Sequence, residues 1–358
     1  MTEYTQLTLD ITHKLSKTEK KNGGIFITPR SLIERLVAQL PARHYADILE
    51  PSAGTCEIVR YLDGRLSNVS IDAVEFNPVI YSTVSDANIQ YINAVRYIRA
   101  DFTRWVPHKQ YDLIIGNPPY VVCGKDDVPE QYRENTVGRP NLFGTFILHA
   151  MTMLKPDGIL AFIIPTSFLN AAYYSKIRSY MKQSGNILKI ADFSKDGGFL
   201  ETQQTTFGLI FQKTKEPNVA CNHSIRFGDN VILTENADEI RKLLSGSTTF
   251  AKLGIRVRTG TIVWNQHKDR MSTDNTQTLL IYNSNITKSN RVELMDFAND
   301  DKKQYIEHPG SNEPIIVVNR GNGNSAYKLN YAYIDGKRPY LVENHLNIHR
   351  RTFYTFAH

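Results

Sequence analysis

The tetrapeptide Asn117-Pro118-Pro119-Tyr120 directly follows an apolar run, and its residue types suit the binding of a planar amine. The Asn117 side-chain oxygen and the Pro118 carbonyl oxygen can each accept one N–H of an exocyclic amine. This pairing favours a pyramidal nitrogen whose lone pair faces an electrophile. The prolines stiffen the segment, and the Tyr120 ring can stack on a base. The four residues are therefore predicted to be catalytic, although Asn-Pro-Pro alone also ends strands in plain turns.

Three acidic residues, Glu50, Glu75 and Asp101, each come at the end of a short apolar segment upstream of the tetrapeptide. Glu50 can receive a cationic amine, Glu75 both hydroxyls of a ribose, and Asp101 the amine of an adenine. Carboxylates crowded at neighbouring strand ends would repel one another unless a ligand engaged them. A ligand with an amine, a ribose and an adenine, but no phosphate, is S-adenosylmethionine.

Small residues follow the first acidic residue, on a tight turn that opens a helix. Pro51, Ala53 and Gly54 allow backbone amides to approach a ligand there, although a plain strand-to-helix turn is the alternative. The segment lacks the full G-x-G-x-x-G pattern, which disfavours a dinucleotide. Phe76 and Phe102 complete the expected cofactor-binding set, with Phe102 covering the adenine ring.

Short β-branched segments alternate with helical patterns through the first 215 residues, and these elements must position the candidate residues. Strands are predicted at 47–51, 69–76, 96–102, 111–117, 158–165, 186–193 and 205–213. Helices fit at about 30–40, 56–66, 78–91, 142–154 and 171–184. The alternation predicts an α/β fold, a doubly wound sheet with helices on both faces. Ligands bind beyond the carboxyl ends of such strands, where the candidate residues come.

The chain divides by composition into three parts. Residues 1–21 read as an N-terminal arm with a solvated Lys-rich patch at 14–21, and residues 22–215 as the catalytic domain. Residues 216–358 have weak helical periodicity and predict a second, mainly β domain.

Bulk properties narrow the class of protein. The formal net charge is +6 and the sequence pI is about 9.0, which favours a polyanionic partner. Three scattered cysteines suit a reducing compartment, and no segment reads as a signal peptide or a membrane span. We therefore expect a cytoplasmic protein without membrane association. His345 and His349 are spaced as a helical pair, but the zincin glutamate is missing, so no metal is expected.

The ordered motifs resemble those of amino-type DNA methyltransferases of the adenine-N6 group, in which cofactor motifs precede the catalytic motif and a target-recognition domain follows. The similarity covers residues 22–213. It implies a class I S-adenosylmethionine-dependent methyltransferase fold, Rossmann-like, with a seven-stranded mixed sheet. It also implies methylation of a flipped-out adenine in double-stranded DNA, in a restriction-modification or epigenetic system that can include a cognate restriction endonuclease.

Further site residues follow from this resemblance. The stretch "NGGIFITPRSLIERLV" resembles the family's N-terminal cofactor motif, in which Thr28 and Pro29 would contact the methionine part of the cofactor. Asn117 joins the cofactor set, and Phe199 takes the place of a second aromatic ring against the flipped base, although an ordinary hydrophobic turn is the alternative. The chain departs from the family at Thr55-Cys56-Glu57, where relatives often carry glycine or a small polar residue.

The resemblance places DNA contacts in the second domain and in the charged segment at 123–140, which can equally be a solvated loop. Residues 256–265 resemble the start of a recognition region, and 318–327 form another candidate loop; a generic β surface is the alternative. The domain is compact for the group, so the native polypeptide can extend further.

Two other functions remain open at this stage. The same tetrapeptide can present glutamine of a protein, or a base of RNA, to a methyl donor. Alternatively, the chain is a catalytically idle DNA-specificity subunit that keeps the fold. The long C-terminal region counts against the first alternative, and the intact acidic residues count against the second. DNA cytosine-N4 enzymes generally carry Ser in place of Asn117, which weighs against cytosine as the target.

Overall fold

The computed structural model describes residues 3–193, 205–218, 223–227, 230–320 and 328–351. The chain forms two compact units, Met1–Lys242 and Leu243–His358. In the first unit the helices and strands are, in chain order, α1 (Gln6–Lys14), α2 (Lys17–Gly23), α3 (Arg30–Val37), β1 (Asp47–Glu50), α4 (Glu57–Asp63), β2 (Ser70–Glu75), α5 (Pro78–Asp86), β3 (Ala94–Arg99), β4 (Tyr111–Gly116), α6 (Leu142–Met153), β5 (Leu154–Pro165), α7 (Ser175–Ser184), β6 (Gly185–Asp192), β7 (Thr206–Lys213), β8 (Ser224–Phe227), β9 (Asn230–Leu233) and α8 (Ala237–Leu244). The last of these helices runs past the boundary between the units.

The first unit is built on a seven-stranded sheet of order β3-β2-β1-β4-β5-β7-β6. Strands β1 to β5 pair in parallel, whereas β7 is antiparallel to both β5 and β6. The predicted seven-stranded mixed sheet is therefore confirmed, and each predicted strand overlaps an observed one. Because the strand order reverses beside β1, the ends of β1 and β4 flank the place where ligands bind in such sheets.

Apolar side chains alternate between the two faces of this sheet. Leu49 and Ile114 belong to a core under α6 and α7, whereas Ile48 and Leu113 belong to a core under α1, α3, α4 and α5. All four are 0% exposed. Strands covered on both faces read as nearly continuous apolar runs, which is why their ends were easy to locate in the sequence.

The N-terminal arm differs from its sequence-based description, because it folds onto the catalytic unit. Leu7, Ile11 and Leu15 are spaced by four residues and form one face of the first helix and its end. Ile11 is 0% and Leu15 is 5% exposed within the core, and Leu7 packs against it. The residues of the Lys-rich patch at 14–21 whose exposure is described are mostly exposed, as predicted.

The second unit contains β10 (Ile255–Thr259), β11 (Met271–Ser272), β12 (Thr278–Ile281), β13 (Tyr305–Ile306), β14 (Ile315–Asn319), β15 (Tyr331–Ile334), β16 (Tyr340–Val342) and β17 (Leu346–Arg351). They form two four-stranded sheets, of order β10-β17-β14-β15 and β11-β13-β12-β16. The predicted helical pair of histidines is not helical, because His349 lies on β17 and His345 directly precedes it.

The boundary between the units lies at 242/243, whereas the composition change predicted it at 215/216. The hairpin of β8 and β9 explains the difference. Val231 is 0% and Leu233 is 1% exposed, and both belong to the core of the first unit.

In the described part of the chain, the helices are too short or too polar to cross a membrane.

Candidate active site

A cavity of about 470 Å³ lies beyond the carboxyl ends of the first four strands of the first unit. This volume falls within the range of small-molecule sites, about 300–1,000 Å³. Its lining includes the following residues predicted from the sequence: Thr28, Glu50, Pro51, Ala53, Gly54, Glu75, Phe76, Asp101, Phe102, Asn117 and Pro119. Pro29, Pro118 and Tyr120 adjoin the lining in the chain without forming part of it. Phe199 lies outside the described residues.

Glu50 supplies a buried carboxylate to this cavity. The residue is 3% exposed, and its Oε2 atom has no hydrogen-bond partner among the described residues. Burial raises the pKa of Glu50 well above its ordinary value; a hydrogen bond with the Val59 backbone opposes this shift, and the neighbouring carboxylates of Glu75 and Glu57 add to it. A buried carboxylate oxygen without a partner is costly, so the site favours either a proton or a cationic ligand group.

Glu75 joins two loops at the cavity wall. Its Oε2 accepts a hydrogen bond from the amide of Gly54 at 2.8 Å, and its Oε1 accepts one from the amide of Asn77 at 2.6 Å. Gly54 has φ of +51°, the left-handed conformation that glycine adopts readily. Asn77 in turn caps α5 with its own side chain. Lone pairs of the Glu75 carboxylate that the backbone amides leave free can accept from a ligand.

Asp101 is partly engaged by its own turn. Its Oδ1 accepts hydrogen bonds from the Thr103 amide at 3.0 Å and the Thr103 hydroxyl at 2.8 Å. Its Oδ2 lies 3.6 Å from Nε of Arg104, on the surface. The turn therefore fixes the direction of the carboxylate and leaves lone pairs of Oδ2 for a donor in the cavity.

The two predicted cofactor phenylalanines differ in their surroundings. Phe102 is 1% exposed and packs against Phe146 and His149, with ring centroids 4.8 Å and 5.0 Å apart. It forms part of the cavity wall, but little of its ring is available to cover an adenine as predicted. Phe76 is 72% exposed and presents a ring at the cavity. The pairs Glu75-Phe76 and Asp101-Phe102 look alike in the sequence, which does not show which phenylalanine is buried. Sequence reasoning therefore could not tell which ring is available to a ligand.

The side chain of Asn117 is held at both ends. Its Nδ2 donates to the carbonyl oxygen of Phe26 at 3.1 Å and to the Thr28 hydroxyl at 3.2 Å. Its Oδ1 accepts a hydrogen bond from the Tyr120 hydroxyl. The Ser52 hydroxyl donates to the backbone oxygen of Asn117 at 3.0 Å. The acceptors on the Nδ2 side fix the orientation of the amide, so Oδ1, the only side-chain atom of Asn117 that can accept a hydrogen bond, faces the Tyr120 hydroxyl.

Tyr120 occupies a position that differs from its predicted role. Its ring stacks on Phe26 with centroids 5.7 Å apart and meets Phe143 edge-on at 6.1 Å. Its hydroxyl also lies 2.9 Å from the carbonyl oxygen of Ile163, and burial raises its pKa. In this conformation the partly buried Tyr120 packs against the core and positions Asn117, whereas the sequence predicted that its ring stacks on the target base.

Gly24 allows the N-terminal motif to approach the catalytic tetrapeptide. Its φ is +60°, and a Cβ atom there would lie 3.1 Å from the Tyr120 amide and 3.2 Å from Cβ of Pro119.

Phe26 and Ser52 were missed as site residues by sequence reasoning, although both lie within motifs that were recognised. Their roles depend on contacts with Asn117 that come from a distant part of the chain.

The charged segment at 123–140 borders the same cavity through Cys123 and Asp127. It is anchored by Tyr132, whose hydroxyl lies 2.7 Å from Nδ1 of His149, while Nε2 of His149 lies 2.9 Å from the Trp105 carbonyl oxygen. A carbonyl only accepts, so Nε2 carries the proton and Tyr132 donates to Nδ1. Burial lowers the pKa of His149, which keeps the ring neutral.

The predicted recognition segments lie in the second unit. Residues 256–265 include most of β10, where Arg256 and Arg258 are exposed. Of residues 318–327, only 318–320 fall within the described part of the chain. Contacts of both segments with DNA stay predictions.

Comparison with known proteins shows what the chain is similar to. Residues 57–199 match the family model described as Eco57I restriction-modification methylase. Modification methylase CviBIII of Paramecium bursaria Chlorella virus NC1A is 38% identical over 185 residues, 49% of this chain and 46% of that protein. The type II methyltransferase M.CvrRI of Paramecium bursaria Chlorella virus XZ-6E is 25% identical over 340 residues, 93% of this chain and 84% of that protein.

Among solved structures, the type I restriction enzyme EcoKI M protein aligns at 17% identity and a TM-score of 0.40, over 59% of this chain and 47% of that chain. The chain thus spans about half the length of CviBIII and most of the length of M.CvrRI. The family match and the two relatives confirm the resemblance predicted from the motifs.

Proposed function

We propose that this chain, which carries an Eco57I restriction-modification methylase domain over residues 57–199, is a DNA methyltransferase that methylates the exocyclic N6 amine of adenine. One observation carries the proposal: a single cavity is lined by Glu50, whose buried Oε2 atom has no hydrogen-bond partner among the described residues, and by Asn117, whose nitrogen is tied to Thr28. The cavity therefore combines an acceptor for a cationic ligand with an acceptor for a substrate amine.

The described residues fit S-adenosylmethionine as the cofactor. Glu50 can receive its amino group, the free lone pairs of Glu75 its ribose hydroxyls, and the exposed Phe76 ring its adenine. When bound, this cofactor supplies an electrophilic methyl group on a sulfonium sulfur. Burial of Glu50 strengthens its attraction for a cation, because the surrounding protein screens charge less than water does.

Asn117 and Pro118 perform the acceptor part of the reaction. Oδ1 of Asn117 has two lone pairs, so it can accept an N–H of the target amine while it keeps its hydrogen bond from Tyr120. The Pro118 carbonyl oxygen can accept the second N–H. Holding both hydrogens in this way directs the nitrogen lone pair towards the methyl group, and alignment rather than a covalent intermediate lowers the barrier.

The charge distribution supports duplex DNA as the substrate. Residues 243–358 contain 15 lysines and arginines but only 10 aspartates and glutamates, so most of the net positive charge lies in this part of the chain. Phosphate contacts by such residues contribute affinity without regard to sequence. The adenine must leave the base stack to reach the cavity, at a cost of about a few kcal/mol. We expect the enzyme to act in the cytoplasm, in a restriction-modification or epigenetic system.

Methyl transfer from tritiated S-adenosylmethionine tests this proposal directly. The full chain is incubated in parallel with duplex DNA, RNA and a protein substrate, and the labelled product is hydrolysed and separated. Label in N6-methyladenine of DNA is expected, and Asn117→Ala should reduce it by about 10²–10³-fold, as the loss of a single key hydrogen-bonding group does. Label in N4-methylcytosine, RNA or glutamine would replace the proposed substrate, and no transfer would favour an idle specificity subunit.

A further inference from the structure

The first helix is fastened to the turn between β1 and α4. Glu57, the first residue of α4, lines the cavity. Its Oε1 accepts hydrogen bonds from the Thr5 amide at 3.1 Å, from the Thr5 hydroxyl at 2.7 Å and from the Thr8 hydroxyl. Nη2 of Arg60 lies 3.2 Å from the same Glu57 oxygen and 2.9 Å from the Thr5 hydroxyl. Glu57 is therefore held mainly by residues that precede the recognised motifs.

The start of the same segment is fastened to α3. The carbonyl oxygen of Glu3 accepts a hydrogen bond from the Arg30 amide at 3.1 Å. The side-chain Oε2 of Glu3 accepts hydrogen bonds from the Ser31 amide at 3.2 Å and from the Ser31 hydroxyl at 3.0 Å. Ser31 lies in the first turn of α3, two residues after Pro29. Residues 3–15 thus join the two motifs that border the cavity, and Ile11 and Leu15 anchor them in the core.

The contacts of Thr5 and Thr8 fall on Thr55-Cys56-Glu57, the stretch where the chain departs from the residues that relatives often carry. Cys56 is fully buried and has φ of +60°, a conformation that non-glycine residues rarely adopt. Such a residue keeps its conformation only when its surroundings determine it. Its two neighbours are held: the Thr55 hydroxyl lies 2.8 Å from that of Thr8, and the Thr55 carbonyl accepts from Arg60 at 2.7 Å. Contacts from the first helix therefore help to hold the turn at Cys56 in a conformation that glycine would adopt without such support.

We propose that residues 3–15 form a clasp that positions the cofactor turn, so that the hydroxyls of Thr5 and Thr8 set the affinity for the cofactor. The clasp acts on Ala53–Glu57, whose hydrogen bonds in the described part of the chain do not include the Asn117 side chain, and therefore leaves the rate of methyl transfer at saturating cofactor unchanged. The inference rests on the proposed function, because it takes the cavity to be an S-adenosylmethionine site. Thr5 and Thr8 are positioning residues that act through Glu57.

Calorimetric titration of the full chain with S-adenosylhomocysteine tests the clasp without DNA. Thr8→Val keeps the shape of the side chain and removes its hydroxyl, and Thr12→Val is the matched control. The Thr12 hydroxyl donates to the Thr8 carbonyl of its own helix, at 2.8 Å. We expect Thr8→Val to raise the Kd by about fivefold to tenfold, the usual worth of one hydrogen bond, and Thr12→Val to leave it unchanged.

The kinetic readout separates positioning from a general loss of structure. Thr8→Val should raise KM for S-adenosylmethionine with kcat unchanged, and Thr5→Val should repeat this result if the first variant proves unstable on heating. An unchanged Kd in both variants overturns the clasp, and so does a fall in kcat without a change in KM. Failure of the unsubstituted chain to bind S-adenosylhomocysteine contradicts the proposed function itself, which distinguishes the two failures.

Discussion

Nδ2 of Asn117 donates a hydrogen bond to the Thr28 hydroxyl over 3.2 Å, although the two residues are 89 positions apart in the chain. The bond joins the N-terminal cofactor motif to the catalytic tetrapeptide. Because Nδ2 of Asn117 donates to Thr28 and to the Phe26 carbonyl, the amide is oriented with Oδ1 on the other side, where it can accept a hydrogen bond from an amine. Thr28 therefore contributes to the acceptor geometry in addition to its predicted contact with the cofactor.

Thr28→Val should lower kcat by about tenfold, since a misoriented Asn117 would turn its nitrogen, a donor, towards the target amine. Thr28→Ser is the matched control, because it keeps the hydroxyl and should retain nearly full kcat. Single-turnover kinetics at saturating S-adenosylmethionine measure the methyl-transfer step apart from cofactor binding. Equal rates for the valine and serine variants would remove Thr28 from the positioning of Asn117.

Tyr120→Phe separates the two roles considered for this residue. The substitution keeps a ring that could stack on a base and removes the hydroxyl that donates to Asn117. If the hydroxyl positions Asn117, the single-turnover rate should fall by about fivefold to tenfold. If the ring acts only by stacking, the rate should stay at the level of the unsubstituted chain. Binding of S-adenosylhomocysteine should be the same in both proteins, which checks that the cavity is intact.

The acidic residues of the site were predictable because each has a local signal. Glu50 and Glu75 end apolar strands, and Asp101 follows one closely, so parallel pairing brings all three to one edge of the sheet. Strands β1 and β4 were found from runs that are apolar on both faces, and the edge strand β3 from its β-branched and aromatic residues. No long-range information is needed for either result.

The contacts that hold Asn117 could not be predicted in this way. Phe26 and Thr28 reach Asn117 only after the chain has folded, and the orientation of Tyr120 depends on the space left by Phe143. The unit boundary was misplaced for a similar reason. Val231 returns to the first core after a polar stretch, and composition alone does not reveal that return.

Phe76→Ala should weaken the binding of S-adenosylhomocysteine by about tenfold, because stacking of a base on an aromatic ring is worth roughly 1–3 kcal/mol. The Phe76 ring is 72% exposed, so its removal should leave the melting temperature unchanged. Phe76→Trp keeps a stacking surface and should restore affinity. Val106→Ala is a suitable control, since Val106 is 77% exposed and is absent from the cavity lining. Full affinity in Phe76→Ala would assign adenine stacking to another residue.

Glu50→Gln should strengthen the ligand-free fold while it weakens cofactor binding. Burial raises the pKa of Glu50 in the folded chain above its value in the unfolded chain. Its contribution to stability is therefore complete below the ordinary carboxyl pKa and is lost as the pH rises through the raised value. Glutamine has no proton to lose, so the gain in unfolding free energy should be larger at pH 8 than at pH 5, reaching about 1–3 kcal/mol.

Chemical denaturation at the two pH values measures this difference, and titration with S-adenosylhomocysteine measures the loss of affinity. Glu34→Gln provides the control, because Glu34 lies on α3 in an exposed ion pair with Arg30 at 3.0 Å, and such pairs contribute little. A Glu50→Gln chain that is less stable at pH 8, yet binds as tightly as before, would show that the carboxylate serves the fold rather than the ligand. If the site serves to bind a cation, the variant chain should be more stable and should bind more weakly, because the ligand relieves the cost of burying the Glu50 oxygen that has no hydrogen-bond partner.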